Sequence, residues 1–299
     1  MTDLVVVGMA YFEVFVPPHV RPDPGKELFV DGIALSLGGA LNTATVAAAL
    51  GLQVTLCLPM GHGIVDEAVA SLARRLGITL VPIAARDNPA ISLVFSDADD
   101  RSFVSTAELD VLATLERLPA SAWVHVPGLE EADRLVAPLA RARRDGARIS
   151  VSGSWSPRQL DRLAARDGGA WDLLVLNEKE ALAACGDVAS APARLAGTAA
   201  HSVLVTLGAS GAFGVLDGTA LRVPAVAAHV VDPTGAGDAF CAGVIAGLMR
   251  GATPAAAARH GSRVAARILN QTGGLVTDPQ IMVDIADMAD LADEDLWKS

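Results

Sequence analysis

Strand-like and helix-like segments alternate along most of the 299-residue chain, and this alternation restricts the fold more than any other feature. Short apolar runs rich in Val, Leu and Ile are each separated from the next by a helical stretch. The predicted strands include 4–7, 54–58, 80–83, 122–126, 148–151, 173–176 and 203–207, and the clearest helices are 40–50 and 65–76. This pattern predicts an α/β fold with a mainly parallel central sheet covered on both faces.

Two segments interrupt the alternation. Residues 12–36 contain four prolines and extended stretches, and residues 91–104 hold two strand-like runs around a predicted hairpin turn at 97–101. We predict that both form a small antiparallel sheet outside the main one, and periodicity leaves two surface loops as the alternative. The main domain then comprises residues 1–11, 37–90 and 105–280. The acidic C-terminal segment 281–299 is predicted to be a solvated amphipathic helix.

Composition restricts the function classes. Hydrophobic residues make up 52% of the chain and charged residues 19%, so we expect a large core and no extended disorder. The formal charge of −11 argues against a nucleic acid partner. No apolar run is long enough to span a membrane, and the first residues lack the basic start of a signal peptide. Three widely spaced cysteines suit a reducing compartment, so we expect a cytoplasmic protein without a membrane partner.

The run Asp232-Pro-Thr-Gly-Ala-Gly-Asp-Ala-Phe240 carries the strongest chemical signal. Small residues permit a close turn after a strand-like run, and a helix is predicted to begin near Gly237. The start of a helix offers unpaired backbone N–H groups and the positive end of a dipole, which together bind anions. Asp238 therefore lies where a carboxylate either takes part in chemistry or caps the helix. Local sequence leaves both roles open.

Other phosphate-binding and catalytic motifs do not fit. The only Gly-Lys pair, Gly25-Lys26, lacks the rest of a P-loop, and the first strand ends in a single Gly8 rather than a dinucleotide fingerprint. This argues against an oxidoreductase. The six histidines have no zinc-binding spacing, and no G-x-S-x-G is present.

Two separated motifs resemble the signatures of the ribokinase-like carbohydrate kinases, the PfkB family. Residues 232–245 resemble the C-terminal signature, and Gly38-Gly-Ala-Leu-Asn-Thr-Ala44, with Gly51 and Gly61 at the family spacing, resembles the N-terminal one. Asn177-Glu-Lys-Glu180 and Val205-Thr-Leu-Gly-Ala-Ser-Gly211 resemble two further family motifs. The resemblance covers about residues 4–278. It implies a ribokinase-like three-layer α/β domain with a small β-lid, here residues 12–36 and 91–104.

The resemblance also implies the chemistry of the site. Asp238 corresponds to the family's general base, and the backbone of Gly235, Ala236 and Gly237 corresponds to its anion hole. A helix start with fixed donors suits phosphoryl transfer, in which positioning and charge stabilisation dominate. The resemblance therefore implies an ATP-dependent kinase that phosphorylates a hydroxyl group.

Further correspondences concern the cofactors. Asn177 and Glu180 match residues that organise Mg²⁺ and phosphate through water, with a turn Asn and an ordinary helix Glu as the alternative. Thr206, Gly208 and Gly211 match the ATP side, although turn geometry alone also explains the glycines. Asp232 matches a carboxylate near the monovalent-cation site of many members, so K⁺ is a further candidate ion. Capping of a turn is its alternative.

On the acceptor side, Gly38, Gly39 and Asn42 match residues that approach the substrate. Glu13 stands where the family usually carries an Asp, and a solvated lid charge is the alternative. The glycine motif lacks the Lys of some members. Arg101 is the one candidate clamp for a phosphate, with a solvated turn charge as its alternative role. We therefore expect a small unphosphorylated sugar or sugar-like acceptor, with a nucleoside as the alternative and a homodimer through the lid as a further expectation. A non-catalytic sugar-sensing protein on the same scaffold is the rival class.

Overall fold

The computed structural model describes residues 2–17, 22–86, 89–96, 101–166 and 168–290. Its strands are β1 Thr2–Val7, β2 Ala10–Val16, β3 Ala34–Gly39, β4 Val54–Met60, β5 Thr79–Ala84, β6 Ile91–Ser96, β7 Arg101–Thr106, β8 Ser121–Val126, β9 Arg148–Ser152, β10 Trp171–Asn177, β11 Ala200–Thr206, β12 Ala212–Leu216 and β13 Thr219–Val223. Its helices are α1 Ala40–Ala49, α2 Ile64–Arg75, α3 Leu129–Arg134, α4 Val136–Arg144, α5 Pro157–Leu163, α6 Glu178–Cys185, α7 Ala191–Leu195, α8 Ala236–Met249, α9 Pro254–Ile268 and α10 Pro279–Asp290.

Nine strands of the described chain form the central sheet, in the order β13-β12-β11-β10-β9-β8-β1-β4-β5. The seven strands from β11 to β5 run parallel, whereas β12 and β13 add an antiparallel edge. The α/β class predicted from the sequence is confirmed. The parallel strands read as continuous apolar runs because both of their faces are buried.

Two hydrophobic clusters lie on opposite faces of this sheet. On β1, Leu4 and Val6 face the cluster covered by α1, α2, α8, α9 and α10, whereas Val5 and Val7 face the cluster covered by α3 to α7. Alternate residues of a strand point to opposite faces, so one apolar strand serves both layers. The three-layer architecture follows from this arrangement.

A separate four-stranded sheet, in the order β3-β2-β6-β7, lies outside the central one, and we call it the lid sheet. The separate small sheet predicted from the sequence is confirmed, and its β2/β3 and β6/β7 pairs are antiparallel. The β2/β6 pair between them is parallel, which the prediction of an antiparallel sheet did not include. The reason is connectivity, because β2 follows β1 and β6 follows β5, and those two strands already point the same way. The turn residues 97–100 and the side chain of Arg101 lie outside the described part of the chain, and the division into domains stays a prediction.

Helix α10 begins at Pro279 and packs on the core through Ile281, which is 8% exposed, and Ile285, which is fully buried. The expectation of a solvated helix is therefore wrong for this apolar face. Residues 291–299 lie outside the described part of the chain. Among the described helices, none is long and apolar enough to cross a membrane.

Candidate active site

The carboxyl ends of the parallel strands lie along one edge of the central sheet, and the residues singled out in the sequence gather there. Strands β10 and β11 end at Asn177 and Thr206, and these two residues are direct neighbours in the sheet. The first turn of α1 meets the first turn of α8 at the same edge. This edge is where open α/β sheets bind their ligands.

Helix α8 begins after a tight turn at Gly235, which has φ 77° and precedes the helix as its N-cap. A Cβ atom on Gly274 would come within 2.6 Å of the Gly235 Cα and 2.8 Å of the Asn42 Cγ. A Cβ on Gly235 would collide with the backbone of Gly274 in turn. Gly235 is therefore required twice, by its left-handed backbone and by the close approach of another loop.

The carboxylate of Asp238 accepts two side-chain hydrogen bonds from helix α1. Asn42 Nδ2 donates to Oδ2 over 3.1 Å, and Thr43 Oγ1 donates to Oδ1 over 3.2 Å. Helix α8 has Gly235 at its N-cap and no side-chain capping hydrogen bond there. Asp238 is thus the third residue of the helix and is oriented by α1 rather than by its own backbone, which is not the geometry of the capping alternative.

Burial raises the pKa of Asp238 to about 6, while the hydrogen bonds from Asn42 and Thr43 lower it in part. The same carboxylate contributes to a raised pKa at two neighbours, Glu180 and Cys241, although burial is the larger cause for both. The site therefore places two carboxylates, Asp238 and Glu180, close enough to influence each other. With a pKa of about 6, the Asp238 carboxylate changes its charge near neutral pH, which is suitable for a proton acceptor.

Asn177 and Glu180 form a reciprocal capping box at the start of α6. The Asn177 side chain accepts the backbone N–H of Glu180 over 2.9 Å, and Glu180 Oε2 accepts the backbone N–H of Asn177 over 2.9 Å. Glu180 is buried, lies against Gly153 and accepts a further backbone hydrogen bond from Trp155. Asn177 and Glu180 therefore have the structural role that was the alternative to a cofactor role. The capping box also holds Glu180 in place at the edge of the sheet.

Thr206, Gly208 and Gly211 surround a short 3-10 turn at the end of β11. Gly208 and Gly211 have φ values of 54° and 85°. A Cβ on Gly211 would collide with the backbone at Val223, where β13 ends. Turn geometry thus explains both glycines, and the turn they form lies beside Asn177 on the neighbouring strand.

Glu13 lies on β2 in the lid sheet and is 6% exposed, so it is not the solvated charge considered above. Its carboxylate occupies the space beside Gly38, where any Cβ would collide with it. Gly39 has φ 68° and forms the N-cap of α1. Gly38 and Gly39 lead directly into the first turn of α1, which holds Asn42. The Glu13 carboxylate lies against Gly38, so only a short stretch of backbone separates it from the α1 donors.

Asp232 is 2% exposed and ties two loops together. Its Oδ1 accepts the backbone N–H of Thr234 over 2.6 Å, and its Oδ2 accepts that of Gly273 over 2.8 Å. Asp232 therefore caps the turn before α8, which was the alternative to a role beside a monovalent cation. The second bond also connects the turn before α8 to the loop between α9 and α10.

Two residues near the site, Thr43 and Gly274, have no role assigned from the sequence. Thr43 is part of the N-terminal signature, and the only signal at Gly274 is the Gly-Gly pair at 273–274. Tyr11 lies on β2 two residues before Glu13, and burial together with the charges of Glu131 and Glu130 raises its pKa. Tyr11 and Glu13 are alternate residues of β2, so they lie on one face of the lid sheet, and Tyr11 is close enough to the start of α3 to be affected by Glu131 and Glu130.

Within the described residues, no group of three or more His, Cys, Asp or Glu side chains forms a metal cluster. Both Glu180 and Asn177 already bind backbone donors through oxygen atoms, and Glu180 is buried with a raised pKa. This donor set fits Mg²⁺ held mainly by substrate phosphates and water, with the protein carboxylate in an outer position.

Most of the chain matches a known protein family. The sequence model of the pfkB family carbohydrate kinases matches residues 1–280, so the chain belongs to this family of sugar and nucleoside kinases. Members are phosphotransferases that act on hydroxyl groups, and they use ATP, generally with Mg²⁺. The oxidoreductase class is therefore excluded, as the sequence predicted.

Among curated proteins, the chain is 27% identical over 289 residues to an uncharacterized sugar kinase of Escherichia coli K12, covering 91% of this chain and 89% of that protein. It is 28% identical over 286 residues to a cytidine kinase of Thermococcus kodakarensis, covering 91% and 98%. Among solved structures, Arabidopsis thaliana ribokinase complexed with ribose and ATP superposes with a TM-score of 0.75 at 19% identity, covering 96% of this chain and 99% of that chain. The structural likeness confirms the ribokinase-like fold.

Proposed function

We propose that this kinase transfers the γ-phosphoryl group of ATP to a hydroxyl of a small unphosphorylated sugar or sugar-like acceptor, with Asp238 as the general base. The observation that carries the proposal is the Asp238 carboxylate, which is held by Asn42 and Thr43 at the start of α8. A base must be oriented toward the proton it removes and must be charged at working pH. A pKa of about 6 leaves Asp238 mostly charged at pH 7.

The start of α8 is the proposed anion hole. The first N–H groups of a helix lack partners within the helix, and Gly235, Ala236 and Gly237 supply three of them. The Ala236 N–H also makes a long bond of 3.3 Å to Pro233 O, which a phosphoryl oxygen would have to replace or share. Fixed donors of this kind stabilise the charge that develops on the transferring group.

The nucleotide is proposed to lie along the ends of β10 and β11. Thr206, Gly208 and Gly211 are the proposed contacts on the ATP side. Glu180, with Asn177, would orient water on Mg²⁺, which supplies the positive charge that neutralises the phosphates. Burial and, to a lesser degree, the charge of Asp238 raise the pKa of Glu180, so the two carboxylates lie near each other, and Mg²⁺ would offset their repulsion of the phosphates.

The acceptor is proposed to bind between the lid sheet and the start of α1. Glu13, Gly38, Gly39 and Asn42 are the proposed contacts. A buried carboxylate such as that of Glu13 accepts hydrogen bonds from hydroxyl groups and repels a phosphate. This favours an uncharged acceptor, either a sugar or a nucleoside.

Three further expectations remain proposals. Asp232, which joins the two loops near Gly273, is the proposed neighbour of a K⁺ ion. Exposed apolar side chains at the lid, including Phe29 at 85% exposure, support a homodimer through the lid, which light scattering would test. A cytoplasmic location agrees with the free cysteines Cys57, Cys185 and Cys241.

A screen of acceptors tests the function. Purified protein with ATP and Mg²⁺ would be incubated with free sugars, nucleosides and sugar phosphates, and ADP formation and the phosphorylated product would both be measured. We expect product from at least one unphosphorylated acceptor. Acceptor binding by calorimetry with no product from any of them would instead support the sugar-sensing alternative, and the Asp238→Asn variant provides the background rate.

A further inference from the structure

The loop between α9 and α10 contacts three parts of the proposed site, which are the lid sheet, the first turns of α1 and the turn before α8. Gly273 donates to Asp232, and Gly274 packs against both Gly235 and Asn42. A Cβ on Gly273 would lie 3.3 Å from Ser36 Oγ, on strand β3 of the lid sheet. The lid, the donor helix α1 and the start of α8 therefore meet at one short loop.

One side chain of the loop itself braces the loop from within. Gln271 Nε2 donates to the backbone carbonyl of Gly273 over 3.1 Å and to that of Leu275 over 3.0 Å. Both partners are acceptors, so the amide group can serve them only with its NH₂ end. The two bonds span the Gly-Gly pair, where glycine leaves the backbone most free to move.

A second bond holds the far end of the loop. The backbone N–H of Val276 donates to Thr45 Oγ1 over 3.2 Å, and Thr45 Oγ1 donates to the carbonyl of Asn42 over 3.2 Å. The loop is thus attached to the same turn of α1 whose Asn42 side chain binds Asp238. A shift of the loop would be transmitted to both sides of the Asn42–Asp238 hydrogen bond.

We propose that Gln271 is a positioning residue for phosphoryl transfer, which holds the 271–276 loop against Asn42 and Gly235 and so sets the distance between the base and the anion hole. This inference rests on the proposed function. Gln271 is not a catalytic residue in this proposal, because it acts through Gly273 and Gly274. A misplacement of the order of 1 Å at such a site costs about a hundredfold in rate, so a loop without its brace should slow the reaction rather than abolish the fold.

The test compares Gln271→Ala and the isosteric Gln271→Glu with the control Gln280→Ala. Gln280 is a nearby glutamine whose Nε2 donates to Asp284 over 2.8 Å at the surface. In Gln271→Glu the carboxylate cannot donate to either carbonyl, although the side chain keeps its size. We expect kcat to fall about tenfold or more in both Gln271 variants, with KM for ATP and for the acceptor within about threefold of the parent.

A second readout does not depend on activity. Amide exchange at Gly273 and Val276 should become faster in both Gln271 variants and stay unchanged in Gln280→Ala. The reason is that these two N–H groups donate to Asp232 and Thr45, and a loop without its brace would open those hydrogen bonds more often. Unchanged exchange at these amides, or faster exchange with an unchanged kcat, would overturn the inference. If the parent protein phosphorylated no acceptor, the proposed function would fail, whereas the exchange data would still decide whether Gln271 braces the loop.

Discussion

The Nδ2 atom of Asn42 lies 3.1 Å from Oδ2 of Asp238, so one hydrogen bond joins residues that are 196 positions apart in the chain. Each residue lies in the first turn of its helix, and Thr43 adds a second bond to the other carboxylate oxygen. The two donors fix the orientation of the carboxylate, and they partly offset the rise in its pKa that burial causes. The proposed base is therefore oriented by the two adjacent residues that form part of the N-terminal signature.

Replacement of Asp238 by Asn should remove phosphoryl transfer while leaving the fold intact. The amide keeps the size of the side chain but cannot accept a proton, and the loss of general-base help typically costs about 10²–10⁴ in rate. Asp66→Asn is the matched control, because Asp66 is also the third residue of a helix, α2, where it caps Gly63. Turnover of Asp238→Asn within a few-fold of the parent, with unchanged melting of both variants, would mean that another group is the base.

The rate should depend on pH through the charge of Asp238. Its pKa of about 6 lies above the ordinary value of 3.8, so kcat/KM should fall as the pH drops through about 6 and the carboxylate takes up a proton. Asn42 and Thr43 lower this pKa, so Asn42→Ala or Thr43→Val should move the acid limb to higher pH. Thr55→Val, a buried threonine on β4, is the control and should leave the limb in place. A limb that stayed fixed in both α1 variants would contradict the assignment.

Much of the fold could be predicted because it depends on local patterns. The run Leu4–Val7 is apolar at every position, and such a run is typical of a parallel strand that is buried on both faces. The parallel pairing of β2 with β6 could not be predicted, because it depends on how two strands leave the central sheet. Likewise, the packing of Ile281 and Ile285 on the core depends on tertiary contacts that acidic neighbours conceal in the sequence.

The site was predictable to a different degree at each residue. The Asn-x-x-Glu spacing at 177–180 is the sequence pattern of a capping box, and the structure contains that box. By contrast, the contact between Asn42 and Asp238 needs two helices to meet, and no local pattern reports it. The role of Gly274 depends on a close approach to Gly235, which only the folded chain reveals.

Two glycines of the same turn should respond differently to alanine. Gly235→Ala places a side chain at φ 77° and against the backbone of Gly274, so it should destabilise the protein, by about 1 kcal/mol from the backbone conformation alone. Gly237 has an ordinary φ and open space around its Cβ position, so Gly237→Ala should fold normally. If the anion hole is at this turn, Gly237→Ala should nevertheless raise the KM for ATP or lower kcat. Melting curves and kinetics of the pair would separate the two effects, and full activity in Gly237→Ala would argue against the proposed position of the phosphates.

Replacement of Glu180 by Gln should raise the Mg²⁺ concentration needed for half-maximal rate. The amide oxygen can still accept the backbone N–H of Asn177, so the capping box should survive, while the negative charge is lost. Glu178→Gln is the control, since Glu178 lies in the same first turn of α6 and is exposed. We expect no activity in excess chelator for the parent protein. An unchanged Mg²⁺ requirement in Glu180→Gln would leave Glu180 with its structural role only.

The acceptor should be an unphosphorylated polyol, and Glu13 should be the residue that enforces this choice. Its buried carboxylate lies against Gly38, in line across the lid sheet with Ser36 on β3 and Ser92 on β6. A bound phosphate dianion would need a cationic partner, whereas this row offers a carboxylate and two hydroxyl groups, which suit neutral hydroxyls of a sugar or nucleoside.

Glu13→Gln keeps the size of the side chain and removes its charge. We expect kcat/KM for the best unphosphorylated acceptor to fall about tenfold, because a hydrogen bond to a charged group is worth about 1.5–3 kcal/mol, while the KM for ATP stays unchanged. Glu27→Gln, an exposed glutamate in the stretch between β2 and β3, is the control. Fructose 1-phosphate, fructose 6-phosphate and tagatose 6-phosphate should remain poor acceptors of the parent protein. If any of them were used at least about tenfold more efficiently than every free sugar and nucleoside, a difference of about 1.4 kcal/mol, the electrostatic argument from Glu13 would be wrong.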